Sequence, residues 1–198
     1  MNARNETINL FDGAGRRKYL NADERSRLLV ASREAALPLR RLCEHLHFTG
    51  CRPSEALNTC WHHLDIEQAS CAIQTLKQRC RGVYRSVPLP RAHVEALLGL
   101  APGLRDLDTQ IWSWHRATVW RKVTKIMLAA GISGTQASPR GIRHGFGVAA
   151  VTAGVPLTLV QRWLGHTKLD TTAIYLQVVG PEERKFAEKL WLRENVIN

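Results

Sequence analysis

Long apolar runs and paired cysteines are what this sequence most plainly lacks. No stretch approaches the roughly 20 apolar residues that a membrane-spanning helix needs. The first ten residues also lack the basic and then apolar layout of a secretory signal. The five cysteines are odd in number and contain no CxxC pair, which favours free thiols over disulfides or a zinc site. We therefore expect a cytoplasmic protein with no membrane association, no bound metal and no other cofactor.

Acidic residues are scarce relative to basic ones. The chain has 17 Asp and Glu against 28 Lys and Arg, a formal charge of +11, and a pI near 10.0. Such an excess favours a nucleic acid partner, because each neutralised phosphate releases condensed counterions. On charge alone, a merely soluble basic protein or one that binds anionic lipid remains open. The cations are spread among apolar positions, which indicates a shaped binding face instead of a long basic tail.

The spacing of apolar residues predicts a mainly α domain with one small β element, an α+β fold. Asn21 and Glu24 resemble a capping box, which predicts a helix running to about residue 36. Alternation over residues 71–76 and 83–89 predicts a β-hairpin. Ser113 is a plausible cap for a helix over 114–130. Other helices are predicted from apolar spacing or from the pattern of the last third at 39–46, 53–64, 92–100, 143–153, 157–164, 171–178 and around 186–191.

Three segments resemble the sequence boxes of the tyrosine recombinase and phage integrase family, in the family's order. Residues 49–55 (TGCRPSE) look like its T-G-x-R-x-S-E box, and residues 140–144 (RGIRH) are similar to its H-x-L-R-H box. Residues 164–166 (LGH) precede Tyr175 by the nine residues that the family places between its L-G-H histidine and its nucleophile. The resemblance covers roughly residues 19–190 and implies the fold of that family's catalytic domain.

The resemblance also implies a chemistry: cutting and rejoining DNA, without a metal ion, through a 3′-phosphotyrosine on Tyr175. It implies that Arg52 and Arg143 clamp the phosphate oxygens, for which the planar guanidinium fork is well suited. Lys77 falls at the position of the family's hairpin lysine and is the candidate general acid for the departing 5′-oxygen. Because the connection is longer here, Arg79 and Arg81 are alternatives for that role. His166 would hydrogen-bond a phosphate oxygen.

Further residues are expected to support the catalytic set or to contact DNA. Glu55 is expected to hold the arginine cluster in register by pairing with it. A basic face on the 114–130 helix could contact phosphate, although a solvated surface is an equally good interpretation. The candidate DNA contacts are Arg79, Arg81, Arg116, Arg121, Lys122 and Lys125.

One position departs from the family pattern. The second box normally opens with His, and this sequence has Arg140. Arginine donates hydrogen bonds but does not accept a proton near neutral pH, so either this position only supports the phosphate or another group takes the proton. His144 is a possible substitute, although we expect a structural role for it. The free pKa of Tyr175 is about 10, and we expect neighbouring cations to make its ionisation easier.

The domain organisation and partner follow from the same resemblance. We expect a basic N-terminal tail over residues 1–18 and a catalytic domain over 19–198, without a separate N-terminal DNA-binding domain, as in short members of the family. The expected partner is double-stranded DNA with a specific recombination site, bound by a homo-oligomer, a dimer or tetramer. The C-terminal helix either docks into a neighbouring subunit or packs on its own domain. The host would be a mobile element, a plasmid or a DNA inversion switch. A catalytically impaired DNA-binding protein and a type IB topoisomerase remain alternatives.

Overall fold

Most of the regular secondary structure among the described residues is helical, with a small antiparallel sheet set among the helices. The structure is a computed structural model that describes residues 9–76, 82–101, 103, 106–177 and 181–193. Short 3-10 turns occur at Trp61–His63 and Ile174–Leu176. The regular elements in chain order are α1 (Ala22–Ser32), α2 (Leu37–Thr49), α3 (Pro53–Leu57), β1 (Leu64–Asp65), β2 (Ser70–Gln74), β3 (Tyr84–Pro88), α4 (Arg91–Leu98), α5 (Arg116–Ala129), α6 (Pro139–Thr152), α7 (Leu157–Leu164), α8 (Asp170–Ala173) and α9 (Pro181–Arg193).

The sheet has the order β1-β2-β3, and both pairings are antiparallel. The predicted hairpin is confirmed as β2 and β3, with Cys71 opposite Val87. The predicted helix over residues 53–64 is wrong in its second half, because α3 ends at Leu57 and Leu64 pairs with Cys71 in β1. Leu57, Trp61 and Leu64 are all buried. They belong to three successive short elements, but their spacing is the same as that of buried residues on one helix.

Several helix boundaries also differ from the sequence prediction. The capping box of Asn21 and Glu24 is present, but α1 ends at Ser32. Helix α5 begins at Arg116, and its N-cap is His115 instead of Ser113. Helix α6 begins at Pro139, four residues earlier than predicted, because Ser138 Oγ accepts the N–H of Gly141. The start of α6 matters most, since it puts residues 140–144 into the first turns of a helix.

Two hydrophobic clusters meet along α6. The larger one contains the buried faces of α1, α2, α5 and the sheet, and Ile142 belongs to it. The smaller one contains Leu10, Tyr19, Phe146 and Tyr175. Because α6 contributes to both clusters, it is a fixed central element, and the side chains that it carries between them are held firmly in place.

The described residues include no helix that is both long enough and apolar enough to serve as a transmembrane segment. They also contain no group of three or more His, Cys, Asp or Glu side chains placed to hold a metal ion.

Candidate active site

Glu55 is the anionic centre of the site. Its side chain is fully buried, and Arg52 Nη1 donates to Oε1 at 2.6 Å. Arg85 Nη2 donates to Oε2 at 2.7 Å, and Arg143 Nη1 lies 4.0 Å from the same oxygen. Burial by itself would raise the pKa of Glu55, but the charge of Arg85 and the backbone N–H and charge of Arg52 hold that pKa below its ordinary value. Glu55 therefore stays ionised and keeps the guanidinium groups close together.

Arg85 is a member of this cluster that the sequence analysis did not identify. It lies on β3 at a buried position, where its Nε donates to the carbonyl of Trp163 at 2.7 Å. Its Nη1 donates to Thr75 Oγ1 at 2.9 Å. Arg85 thus joins the hairpin to Glu55 and to the end of α7. The available signal was a cation at an inward-facing position of an alternating strand, because a buried charge requires partners.

Arg143 connects the three sequence boxes in space. From α6, its Nη1 donates to the carbonyl of Gly50 at 2.9 Å and its Nη2 to the carbonyl of Leu164 at 2.7 Å. Burial, followed by the charge of Arg52, lowers the pKa of Arg143 to about 10, so the side chain remains a cation at neutral pH. A guanidinium has five N–H donors, and those that these two bonds do not use are available to an anion.

The phenol of Tyr175 lies beside Arg143 in a tight seat. The residue is fully buried in the 3-10 turn after α8. Its ring packs on Gly147 of α6, where an added Cβ would come within 2.4 Å of Cζ. The ring of His166 stacks nearly parallel to it, with centroids 6.3 Å apart. Burial raises the pKa of Tyr175 to about 12, although the charges of Arg143, Arg52 and Arg140 act in the opposite direction. The neighbouring cations thus lower the pKa of Tyr175, as expected, but burial outweighs them in this conformation.

Two histidines border the phenol, and both are neutral. His144 Nδ1 lies 3.2 Å from Tyr175 Oη, while Arg140 Nε donates to His144 Nε2 at 3.2 Å. His166 Nδ1 lies 2.9 Å from Thr172 Oγ1, which leaves Nε2 as the nitrogen for a substrate contact. Burial and neighbouring cations lower the pKa of each imidazole to about 3. His144, for which we expected a structural role, thus contacts the candidate nucleophile directly.

The remaining candidates fall into two groups. Lys77, Arg79 and Arg81 lie outside the described residues. The α5 cations are exposed, and Lys122 Nζ lies 5.4 Å from the ring centre of Trp114. Their contact with DNA stays a prediction for all four residues: Arg116, Arg121, Lys122 and Lys125.

Comparison with known proteins gives matches over most of the chain. Residues 18–180 match the family model described as Phage integrase family. Tyrosine recombinase XerA of Pyrococcus furiosus is 25% identical over 189 residues, which cover 91% of this chain and 64% of that protein. Tyrosine recombinase XerD of Brucella abortus is 34% identical over 162 residues, which cover 75% of this chain and 50% of that protein. The chain thus spans between half and two thirds of the length of these curated relatives.

Solved structures share the fold. The crystal structure of XerA recombinase superposes with a TM-score of 0.75 at 23% identity, over 86% of this chain and 64% of that one. XerH recombinase bound to difH substrate, in a pre-cleavage complex, superposes with a TM-score of 0.68 at 24% identity, over 91% of this chain and 59% of that one. A lambda integrase dimer bound to a COC′ core site superposes with a TM-score of 0.63 at 20% identity, over 80% of this chain and 47% of that one. These likenesses confirm the predicted fold class, mainly helical with a small antiparallel sheet.

Proposed function

Because the chain belongs to the phage integrase family of tyrosine recombinases, we propose that it cuts and rejoins DNA at a specific site through a covalent bond to Tyr175. One observation carries this proposal. Arg143 and the two histidines, which come from α6 and the turn after α7, surround a single phenol. Arg52 joins them through Glu55.

The cations suit the binding of one phosphodiester. Arg52 and Arg143 would donate to the non-bridging oxygens, and His166 would add a hydrogen bond through Nε2. Fixed positive charge at the position where negative charge develops is the main source of catalysis in phosphoryl transfer. Glu55 and Arg85 do not need to touch the phosphate, because they hold Arg52 and Arg143 in place.

The proposed reaction conserves the energy of the phosphodiester bond. The oxygen of Tyr175 attacks phosphorus, a 3′-phosphotyrosine forms, and the bond from phosphorus to the 5′-oxygen breaks. Lys77 would supply the proton that the departing 5′-oxygen takes up. The 5′-hydroxyl of another strand can then reverse the step without ATP. Since Tyr175 is fully buried, we expect that the 3-10 turn or the loops around it shift to admit the DNA.

The setting of the reaction is also a proposal. Related solved structures include XerH bound to difH substrate, a lambda integrase dimer bound to a core site and a lambda integrase tetramer bound to a Holliday junction. By analogy, this chain would act as a homo-oligomer on double-stranded DNA that carries a recombination site. A mobile element, a plasmid or a DNA inversion switch would supply that site.

A nicked DNA library tests the reaction without knowledge of the target. Duplexes with randomised sequence around a single nick are incubated with the protein, and covalent complexes are isolated under denaturing conditions and sequenced. Cleavage beside the nick releases a short fragment, so the covalent complex accumulates. We expect the wild-type protein to trap a related set of sequences and Tyr175→Phe to trap none. Tyr84→Phe, at an exposed tyrosine of β3, is the matched control and should trap like wild type.

The same experiment separates the alternatives. Trapping by Tyr175→Phe at the wild-type level would contradict the proposed nucleophile. Sequence-specific binding without any covalent complex would instead favour an impaired DNA-binding protein, a reading that Arg140 and the high pKa of Tyr175 give some weight. Relaxation of supercoiled plasmid without sequence preference would favour a topoisomerase.

A further inference from the structure

We propose that Arg140 fixes the tautomer of His144, so that the Nδ1–H group of His144 donates a hydrogen bond to the oxygen of Tyr175. This inference deepens the proposed function, since it gives the one departure from the family's second box a role in preparing the nucleophile. His144 then acts directly on the reacting oxygen, and Arg140 is a positioning residue that acts through His144.

A continuous chain of contacts supports the proposal. Arg140 and His144 are four residues apart on α6 and therefore lie on the same face of the helix. Arg140 Nε donates to His144 Nε2 at 3.2 Å, and His144 Nδ1 is 3.2 Å from Tyr175 Oη. The imidazole thus lies between a permanent cation and the phenol, and among the described residues each of its nitrogens has one hydrogen-bond contact.

The chemistry of the three groups determines which nitrogen carries the proton. Arginine has no acceptor atom, so the contact with Arg140 is a hydrogen bond only if Nε2 of His144 is unprotonated. Three cations face the imidazole, namely Arg140 and Arg143 from α6 and Lys18 from the segment before α1. Together with burial they keep it neutral. A neutral imidazole has one N–H, and here that N–H must be at Nδ1, directed at the phenol.

This arrangement stabilises a phenolate and excludes His144 as the base. A hydrogen bond from Nδ1–H strengthens when its acceptor becomes negative, because charge-assisted bonds are roughly twice as strong as neutral ones. The charge of Arg140 polarises the imidazole in the same direction. Since Nδ1 already carries a hydrogen, it cannot take the phenol's proton. That proton therefore leaves toward the substrate side, to a phosphate oxygen or water.

Nitrogen-15 NMR of the DNA-free protein tests the tautomer directly. In protein labelled at histidine, Nδ1 of His144 should give a pyrrole-type signal and Nε2 a pyridine-type signal at pH 7. His144→Asn identifies the resonances. Because this measurement needs no DNA, its outcome is independent of whether covalent trapping succeeds. Protonation at Nε2, or at both nitrogens, in the wild-type protein would overturn the proposal.

Variants then test the role of Arg140. Its side chain is exposed, so Arg140→Met should fold, which circular dichroism verifies. We expect this variant to lose the fixed Nδ1–H tautomer and Arg140→Lys, which keeps a donor, to retain most of it. Arg33→Met, at another exposed arginine, is the matched control and should leave the signals unchanged. An unaltered tautomer in Arg140→Met would show that Arg140 does not set it.

The ionisation of Tyr175 gives a second readout that a merely structural role would not change. Difluorotyrosine placed at position 175 has a lower intrinsic pKa, so its titration can be followed by fluorine NMR within the stable range of the protein. We expect Arg140→Met to raise that pKa by about one unit, a tenfold loss of phenolate at a given pH. Arg33→Met should not move it. A switched tautomer with an unchanged pKa would contradict the proposed effect on the nucleophile.

Discussion

The ring of Tyr175 packs on Gly147, and this contact can be tested with Gly147→Ala. We expect this substitution to lower the free energy of unfolding when the Tyr175 ring is present and to raise it when the ring is removed. Gly147 lies inside α6, and a Cβ built on it would be 2.4 Å from Cζ of Tyr175 and 2.5 Å from Cε2. Real Cβ atoms do not approach so closely, so in Gly147→Ala either the helix or the phenol must move. The phenol belongs to a short 3-10 turn, and we expect the turn to give way.

The size of each effect follows from the local structure. With the tyrosine present, forcing one methyl group into a packed contact should lower the free energy of unfolding by about 1–3 kcal/mol. With the ring removed by Tyr175→Ala, the clash disappears. Only the preference of a helix interior for Ala over Gly then remains, which should raise the free energy of unfolding by about 1 kcal/mol. The two backgrounds should therefore differ by about 2–4 kcal/mol, the sum of these two terms.

Urea denaturation of the wild type, both single variants and the double variant measures this coupling. Gly145→Ala is the matched control, because its Cβ would meet the backbone oxygen of Leu20 at 2.6 Å and not the phenol. That control should destabilise the protein equally with and without Tyr175→Ala. A Gly147→Ala effect of the same sign and size in both backgrounds would refute the packing of Tyr175 on α6.

Three further predictions concern acid stability, the arginine cluster and the leaving group. Burial lowers the pKa of His45 and His47 to about 3, so the stability that their neutral forms provide is complete above pH 6.5 and is lost as the pH falls toward 3. In that range each buried histidine lowers the free energy of unfolding by about 1.4 kcal/mol for each unit by which the pH falls. Urea denaturation should therefore show that the free energy of unfolding of His45→Leu depends less on pH between 6 and 4 than that of the wild type. Arg85→Met should lower the free energy of unfolding by about 3–5 kcal/mol, because it leaves Glu55 with one fewer buried partner; an effect under 1 kcal/mol would show that the pair contributes little. Lys77→Ala should slow covalent trapping, and a 5′-bridging sulfur in the DNA should restore it, because a thiolate leaves without a general acid; no restoration would argue against Lys77 as the acid.

The mainly helical fold and most of the residues that gather around Tyr175 could be predicted from the sequence, because they depend on short-range patterns. The capping box before α1, the alternation in β2 and β3 and the three boxes are each contained in a few consecutive residues. The ends of helices and strands were less predictable where buried residues continue from one element into the next. Leu64 is buried whether it ends a helix or begins a strand, so apolar spacing alone does not distinguish the two.

The electrostatic state of the site could not be predicted from the sequence, because it depends on contacts between distant segments. Arg85 reaches Glu55 across 30 positions, and His144 reaches Tyr175 across 31. Burial of the phenol was also hidden, since it requires Gly147 on one helix to face a turn much later in the chain. The number of nearby cations suggested easy ionisation, whereas the desolvation of Tyr175 outweighs them.

The glycines of the first and third boxes end two helices at the points where Arg143 binds. Gly50 and Gly165 are the C-caps of α2 and α7, with left-handed φ values of 60° and 64°. A helix that stops in this way leaves carbonyls near its end without helical partners, and they carry the negative end of the helix dipole. Arg143 donates hydrogen bonds to such carbonyls at the ends of both helices, those of Gly50 and Leu164. Two helix ends therefore fix one guanidinium, and three boxes far apart in the sequence form one cationic site because each contributes to this single side chain's hydrogen bonds.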